Sequence, residues 1–203
     1  MLEPFLFPRV FEAWRTVVHH IAAADSAEVS GSSKETRVLL RPLRTEIERL
    51  VPSVRINGPD PDQERFNNWR VDLVCRNGPE TIALEGKFKT LRDGAPADNR
   101  KEAFFDLYKL ETYVDSGKYS MGIFLWLTDN PAYLRSATKD SREFSTHDGR
   151  IYEPDVPLNA NRPERNASRM PLPLILTRRY VFRWETVTGT SWHHLALVVP
   201  KKG

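Results

Sequence analysis

Residues 69–89 constrain the fold more than any other stretch of the 203-residue chain. Apolar and polar residues alternate along 69–75 and again along 81–88, which is the pattern of strands covered on one face. Between the two runs, Asn77-Gly78 is a strong turn signal. The stretch therefore predicts a β-hairpin, and this hairpin carries charged residues within its strands.

The turn decides which side chains face each other across the hairpin. Pro79 lacks an N–H, so a four-residue loop is favoured over a two-residue Asn-Gly loop, and Asp72 then lies directly opposite Glu85. The two-residue loop would place Asp72 opposite Ala83, with Glu85 diagonal to it. Either even-length loop leaves both carboxylates on one face, whereas an odd-length loop or a bulge would separate them. Lys87, two residues after Glu85, shares that face.

Two carboxylates and an ammonium group in the middle of a strand pair are costly, because neighbouring anions repel and burial raises the pKa of a carboxyl group. A divalent cation would remove that cost. Carboxylate oxygens suit Mg²⁺, with Mn²⁺ as a substitute, and Mg²⁺ combines one or two protein carboxylates with phosphate oxygens of a substrate. Such an ion lowers the pKa of bound water and offsets charge on a phosphodiester under attack. Asp72 and Glu85 are thus candidate metal ligands.

Asp72, a short loop and then Glu85-Gly86-Lys87 resemble the signature of the PD-(D/E)XK, or restriction-endonuclease-like, nuclease superfamily. By order of elements the resemblance covers residues 34–128. It implies that Asp72 and Glu85 bind the metal and that the carbonyl of Gly86 completes the coordination. It also implies that Lys87 positions or polarises the attacking water. The catalytic residues expected from the resemblance are therefore Asp72, Glu85 and Lys87.

The sequence departs from the family pattern before the aspartate, where Val71 stands in place of a proline. Two Pro-Asp pairs within residues 59–62 spell the dipeptide, but they lie in a turn-rich stretch and are interpreted as loop. The alternative to a metal site is that Glu85 and Lys87 are solvated residues on an edge strand.

Two helices are predicted before the hairpin, over residues 9–24 and 34–50, because both carry apolar residues at helical spacing. In the second helix, Glu46 lies close to the apolar face. The resemblance implies that a glutamate of such a helix approaches the metal, and Glu46 is the first candidate, with Glu35 second. The alternative for Glu46 is a salt bridge at the boundary of the apolar face.

A third helix is predicted from Asn99, as its cap, to about residue 116, with an apolar stripe against the sheet. Lys101 and Lys109 are expected to project from it and to bind nucleic acid. The family's helix glutamine is absent, and Asp106 with Lys109, or Lys101, is a candidate substitute. An ordinary i,i+3 surface pair explains Asp106 and Lys109 equally well.

The remaining patterns predict a mixed sheet. Residues 53–57 suit a short strand, and the apolar run 119–128 is typical of a central strand covered on both faces. Strand, helix and strand in succession predict a crossover between parallel strands. Alternating segments between residues 172 and 199 predict a terminal hairpin. The expected fold class is α/β, a restriction-endonuclease-like mixed central sheet flanked by helices, with a C-terminal β-hairpin extension.

One nuclease-like domain is expected. Its parts are an N-terminal helix and linker (1–33), an α/β catalytic core (34–137), a basic loop (138–171) and terminal β-strands (172–203). Between residues 139 and 183 there are nine Lys/Arg and six Asp/Glu. Three arginines of the loop are candidates for contacts with phosphates: Arg142, Arg150 and Arg165. The alternative is a solvated basic loop, because acidic residues are interspersed.

Composition sets wide bounds on function. A formal net charge of +3 permits a polyanionic partner without requiring one. The single cysteine excludes a disulfide within the chain, and no apolar run has the length of a membrane span, so a cytoplasmic location without a membrane is expected. The function expected is Mg²⁺-dependent hydrolysis of nucleic acid, with DNA favoured over RNA and a homodimer left open. The alternative is a non-catalytic nucleic-acid-binding or protein-interaction module on the same fold.

Overall fold

The computed structural model describes residues 6–24, 35–58, 69–159, 171 and 173–202, without the side chains of residues 139 and 140. Three predictions lie outside the described residues. They concern the linker after the first helix, the Pro-Asp pairs at 59–62, and Arg165.

Helices predicted from apolar spacing are present at all three places. They are α1 (Leu6–Ala23), α2 (Arg41–Leu50) and α3 (Pro96–Asp115), and a π-helical segment, Glu35–Leu40, leads directly into α2. Short 3-10 turns cover Pro131–Leu134 and Lys139–Phe144. Among the described residues, no helix is both long enough and apolar enough to cross a bilayer.

Six strands form the central sheet, in the order β1-β2-β3-β4-β10-β9. These strands are β1 (Arg55–Asn57), β2 (Leu73–Asn77), β3 (Glu80–Lys89), β4 (Met121–Thr128), β9 (Glu185–Thr186) and β10 (His193–Pro200). Strands β3 and β4, which α3 connects, are parallel, and the other neighbours are antiparallel. The sheet is therefore mixed, as predicted, and the terminal hairpin β9–β10 adds to it through β4.

The sheet separates two apolar layers, and this separation decides where the charged residues of β3 point. Leu84 and Phe88 pack in the layer that contains α1 and α2, whereas Ala83 packs in the layer that contains α3. Because side chains alternate along a strand, Glu85 and Lys87 share the face of Ala83. Both charged residues consequently point toward α3.

The prediction that residues 138–171 form a structureless loop was wrong for the part that the structure describes. Four short strands make two pairs, β5 (Ile151–Tyr152) with β8 (Tyr180–Val181) and β6 (Pro157–Leu158) with β7 (Leu174–Ile175). Phe144, Tyr152 and Leu158 are buried in the core beside α3. Strands of two residues are too short to leave a periodic pattern, so the sequence could not reveal them.

Helix α3 begins at Pro96, three residues before the predicted cap. Proline suits this position because its missing N–H is not needed in the first turn of a helix. The Asn99 amide instead donates to the carbonyl of Gly94 at 3.1 Å and to the hydroxyl of Tyr133 at 2.8 Å. Asn99 therefore fixes the loop before α3 rather than capping the helix.

Candidate active site

The turn between β2 and β3 has the predicted register but is shorter than predicted. Arg76 pairs with Thr81, and Asn77 pairs with Glu80 as well, so only residues 78 and 79 lie in the loop. The proline is thus in the turn itself, where its missing N–H leaves no strand bond unmade.

Leu73 and Leu84 are the last pair of this register on the side of Asp72, and continuing it by one residue would put Asp72 opposite Glu85. Asp72 lies one residue before β2 begins, and its own N–H donates to the Leu84 carbonyl at 3.1 Å. Its Oδ2 accepts the N–H of Gly86 at 2.8 Å. If β2 were longer, its backbone would accept the N–H of Gly86. The Asp72 carboxylate accepts that N–H instead.

Two further carboxylates continue along this edge of β3. The N–H of Phe88 donates to Glu35 Oε2 at 3.2 Å, and the N–H of Thr90 donates to Asp93 Oδ2 at 2.6 Å. These amides follow Gly86 at the two-residue repeat of a strand. Beyond the start of β2, acidic side chains thus bind the edge of β3 where a neighbouring strand would otherwise pair.

Gly86 lies where a side chain would collide with the helical layer. A Cβ at this position would lie 2.8 Å from Cδ2 of Leu40 and 3.2 Å from Cδ2 of Leu39. In a strand, the N–H and C=O of one residue face the same neighbour. The carbonyl of Gly86, a predicted metal ligand, is therefore on the same side of β3 as the Asp72 carboxylate.

Glu85 and Lys87 are paired with charged residues of α3. Lys109 Nζ lies 2.8 Å from Glu85 Oε1 and 2.9 Å from Asp106 Oδ1, and Asp106 Oδ2 lies 2.7 Å from Lys87 Nζ. The more exposed carboxylate of Glu102 lies 3.5 Å from Lys87 Nζ. Glu85 and Lys87 are only 3% and 7% exposed, and β3 is an interior strand. The alternative of solvated residues on an edge strand was therefore wrong.

The surroundings of three carboxyl groups at β3 oppose their ionisation. Burial raises the pKa of Glu85 well above its usual range, and Asp72 and Asp106 act in the same direction against Lys109. Burial likewise raises the pKa values of Asp72 and Glu35, and for each of them a neighbouring carboxylate adds to the rise. The site thus holds more negative charge than its own cations neutralise.

The two lysines of this cluster remain cationic. Burial is the largest influence and would lower the pKa of each ammonium group, but Asp106 together with Glu35 and Glu102 at Lys87, and with Glu85 at Lys109, raises both values above the usual range. Burial would likewise raise the pKa of Asp106, and Lys109 and Lys87 together lower it instead. Lys87 and Lys109 consequently favour the ionised form of Asp106, and its carboxylate pairs with both of them.

Glu46, the first helix candidate for a metal ligand, is not brought to this cluster. Its Oε1 lies 2.6 Å from Arg49 Nη2, and that hydrogen bond lowers the pKa of Glu46. The predicted alternative of a boundary salt bridge describes Glu46 better. Glu35, the second candidate, is the helical glutamate that lies beside Lys87 and Asp72.

The candidate nucleic-acid contacts are dispersed. Lys101 and Lys109 were expected to project from α3, but both are buried, and Lys109 is part of the cluster at Glu85. Asp106 and Lys109 do form the i,i+3 pair that was offered as an alternative, at 2.9 Å, but it is buried rather than at the surface. Arg142 and Arg150 are exposed, and the Arg150 guanidinium lies 4.9 Å from the centre of the Tyr152 ring.

A cleft of about 310 Å³ opens beside Asp72, and the sequence analysis did not anticipate it. Three exposed arginines line it: Arg41, Arg44 and Arg70. Thr36 adds a hydroxyl group, and Asp72 belongs to the same wall. Arg44 also pairs with Glu48 at 2.9 Å. Guanidinium groups match the geometry of phosphate and carboxylate groups, so this cleft suits an anionic ligand.

The residues present suit a hard cation. Within the part of the chain that the structure describes, no group of three or more His, Cys, Asp or Glu side chains is arranged to hold a metal ion. Asp72, Glu85 and the Gly86 carbonyl form a smaller donor set, made only of oxygens. Mg²⁺ accepts such a set because it keeps several waters and takes one or two carboxylates from a protein.

Comparison with family models, with curated proteins and with solved structures finds no match for the chain. The functional inference therefore depends on the geometry of the chain itself. That geometry defines a mixed α/β protein with acidic and lysine side chains gathered on one interior strand, next to a basic cleft.

Proposed function

We propose that this protein is a metal-dependent nuclease of the restriction-endonuclease-like type, which hydrolyses phosphodiester bonds of nucleic acid with Mg²⁺, DNA being favoured over RNA. One observation carries the proposal: the Asp72 carboxylate accepts the N–H of Gly86, the residue between Glu85 and Lys87, and the latter two side chains share one face of β3. The order of hairpin, helix and parallel strand supports the same class.

The proposed mechanism assigns one role to each group. Asp72, Glu85 and the Gly86 carbonyl would hold the ion, which when bound supplies a Lewis acid and a water of lowered pKa. Asp106, 2.7 Å from Lys87 Nζ, keeps that ammonium protonated and aimed. Lys87 can then donate hydrogen bonds to the attacking water and to phosphate oxygens as negative charge builds on them.

The arginine-lined cleft supplies a path for the substrate. Arg41 and Arg70 line the cleft that contains Asp72, so a phosphate backbone lying in it would pass this proposed metal ligand. Guanidinium groups bind phosphate oxygens with two parallel hydrogen bonds, which fixes the backbone without reading its sequence.

Asp72→Asn tests the metal site. The amide keeps an oxygen that can accept the N–H of Gly86 but loses the charge that binds a cation. We expect wild-type protein to cleave single- or double-stranded DNA or RNA with Mg²⁺ and not with chelator, and the variant to be slower by about 10²–10³-fold. Mn²⁺ titration should show weakened binding, and a variant with unchanged Mn²⁺ affinity would contradict the assignment.

The same variant should be more stable than wild type in the absence of metal. The raised pKa of Asp72 means that folding disfavours its ionised form, so at pH 7 replacing it should add about 1 kcal/mol to the free energy of unfolding. Below about pH 4 the gain should vanish, because aspartate is then protonated in both states. Asp115→Asn is the control: Arg178 lowers the pKa of Asp115, so this change should destabilise the protein slightly in urea unfolding.

Arg41→Ala and Arg70→Ala test the cleft. Each should weaken binding of a nucleic-acid oligonucleotide in Ca²⁺ or chelator and reduce the slope of log affinity against log salt by about one, because one phosphate contact is lost. Arg9→Ala, an exposed arginine that pairs with Glu12 on α1, is the matched control. Equal slopes for all three variants would exclude the cleft as the phosphate path.

A non-catalytic module is the second candidate, and one observation favours it. Glu85 and Lys87 already have partners in α3, as the members of a purely structural ion-pair cluster would. Such a module need not bind Mn²⁺ and would not cleave any of the four substrates. The metal titration therefore separates the two functions without a known target sequence.

A further inference from the structure

We infer that the ammonium group of Lys109 stands where a second divalent cation stands in two-metal nucleases, so that this site binds one divalent ion rather than two. The inference rests on the proposed function, because it assumes that Asp72 and Glu85 bind the one ion. It adds a role for a buried lysine that the mechanism above leaves without one.

The oxygen atoms around Lys109 Nζ are those of a cation site. Glu85 Oε1 lies at 2.8 Å, Asp106 Oδ1 at 2.9 Å and the carbonyl oxygen of Arg70 at 3.2 Å. Two carboxylates and a carbonyl are the donors that hard divalent ions prefer in proteins. Lys109 is bound to one oxygen of Glu85, so Glu85 would be shared between the ammonium and the proposed ion. Paired metal ions a few ångströms apart are arranged in the same way around shared oxygens.

The surroundings hold these oxygens in place. Tyr113 donates its hydroxyl to the carbonyl of Trp69 at 2.7 Å, which fixes the backbone next to the Arg70 carbonyl. The ring of Phe105 packs edge-on against Trp69 and lies 5.8 Å from Lys109 Nζ. Lys109 is buried, so neither its ammonium nor the three oxygens can exchange their contacts freely for bulk water.

Charge balance gives an independent reason for one ion. The cluster contains four carboxylates and two ammonium groups, of which Glu35 and Asp72 are half-buried and the others buried: Glu35, Asp72, Glu85, Asp106, Lys87 and Lys109. When all are ionised, two negative charges remain, and a single divalent cation offsets them. With two divalent ions the same cluster would carry two positive charges, against none with one ion.

Lys109→Met tests this inference, because methionine keeps most of the volume and removes the charge. We expect calorimetric titration to give one Mn²⁺ per wild-type chain and two per Lys109→Met chain, the second held by Glu85, Asp106 and the Arg70 carbonyl. Electron paramagnetic resonance should then show coupling between two Mn²⁺ ions in the variant alone. Lys109→Arg, which keeps the charge, should retain one Mn²⁺, and the double variant Lys109→Met with Asp106→Asn should return to one.

Each alternative result has a distinct meaning. Two Mn²⁺ ions in wild type, or only one in folded Lys109→Met, would overturn the role of Lys109 and leave the proposed nuclease intact. No Mn²⁺ in wild type would overturn the proposed function itself. If Lys109→Met is unfolded without metal, saturating Mn²⁺ should restore its near-ultraviolet circular dichroism, and failure to do so would also overturn the inference.

Discussion

Lys87→Met is expected to lower metal-dependent cleavage by about 10³-fold while Mn²⁺ binding stays within a few-fold of wild type. The reason is that the residues proposed to bind the metal differ from the residue proposed to contact the water and the phosphate. By the proposal, Asp72 and Glu85 would hold the metal, whereas the ammonium of Lys87 would act on the water and the phosphate. Methionine fills the buried space beside Asp106 without supplying a donor, so the folded structure should remain. Single-turnover cleavage and calorimetric Mn²⁺ titration, on the same preparation, measure the two quantities.

Lys118→Met is the matched control for Lys87→Met. Lys118 lies just beyond the C-terminal end of α3, where its ammonium approaches the rings of Tyr113 and Tyr119 at 5.7 and 5.9 Å. The same loss of one positive charge should leave cleavage unchanged there. If Lys87→Met cleaves at the wild-type rate, Lys87 has no part in the chemistry and the proposed mechanism fails.

The shared strand face of Glu85 and Lys87 could be predicted from the sequence because it is local. A hairpin register follows from its turn, and the two-residue repeat of a strand then fixes which side chains share a face. The wrong loop length did not change the predicted register. Arg76 pairs with Thr81 both in the predicted loop of residues 77–80 and in the observed loop of residues 78–79.

The partners of these residues could not be predicted in the same way. Asp106 and Lys109 were read as a surface pair, but they meet Glu85 and Lys87 across the space between α3 and the sheet. One signal was present: Asp106 is three residues after Ala103 and four before Leu110, so it belongs to the apolar stripe of the helix. Which helix face meets which strand depends on packing over long sequence separations, and spacing alone does not contain that information.

The wrong choice between Glu46 and Glu35 has a local cause. Residues 35–40 form a π-helical segment before α2 begins. A π-helix has a wider turn than an α-helix, so a face extrapolated from α-helical spacing is displaced on passing through it. Glu35, at the start of this segment, consequently reaches the N–H of Phe88, while Glu46 pairs with Arg49 on α2.

The cleft beside Asp72 was not predicted from the sequence, whereas the phosphate contacts of the loop arginines stay a prediction. Arginines were expected to bind phosphate from the loop after residue 138, where they are numerous. The cleft beside Asp72 instead combines Arg41 and Arg44 of α2 with Arg70, which precedes β2. These positions are far apart in sequence, and the packing of α2 near the start of β2 brings them together. Local charge density is therefore a poor guide to a groove built from several elements.

Asp106→Asn is expected to cause the largest loss of stability of any single change in the cluster, about 3 kcal/mol in the free energy of unfolding. Asp106 binds Lys87 at 2.7 Å and Lys109 at 2.9 Å while it is almost inaccessible to solvent. Removing its charge leaves two buried ammonium groups close together with less negative charge to balance them. Urea unfolding monitored by circular dichroism at pH 7 measures the effect.

Glu102→Gln is the matched control, because Glu102 also lies on α3 and also pairs with Lys87, at 3.5 Å. Its side chain is 46% exposed, so water screens the interaction and its loss should cost less than about 1 kcal/mol. The pH dependence separates the two roles further. The pKa of Asp106 is lowered in the folded state, so its contribution exists above the ordinary aspartate pKa and is lost as the pH falls through the lowered value. The difference between wild type and Asp106→Asn should therefore shrink below pH 4, and equal losses for both variants at pH 7 would show that Asp106 does not bind the two lysines as a buried anion.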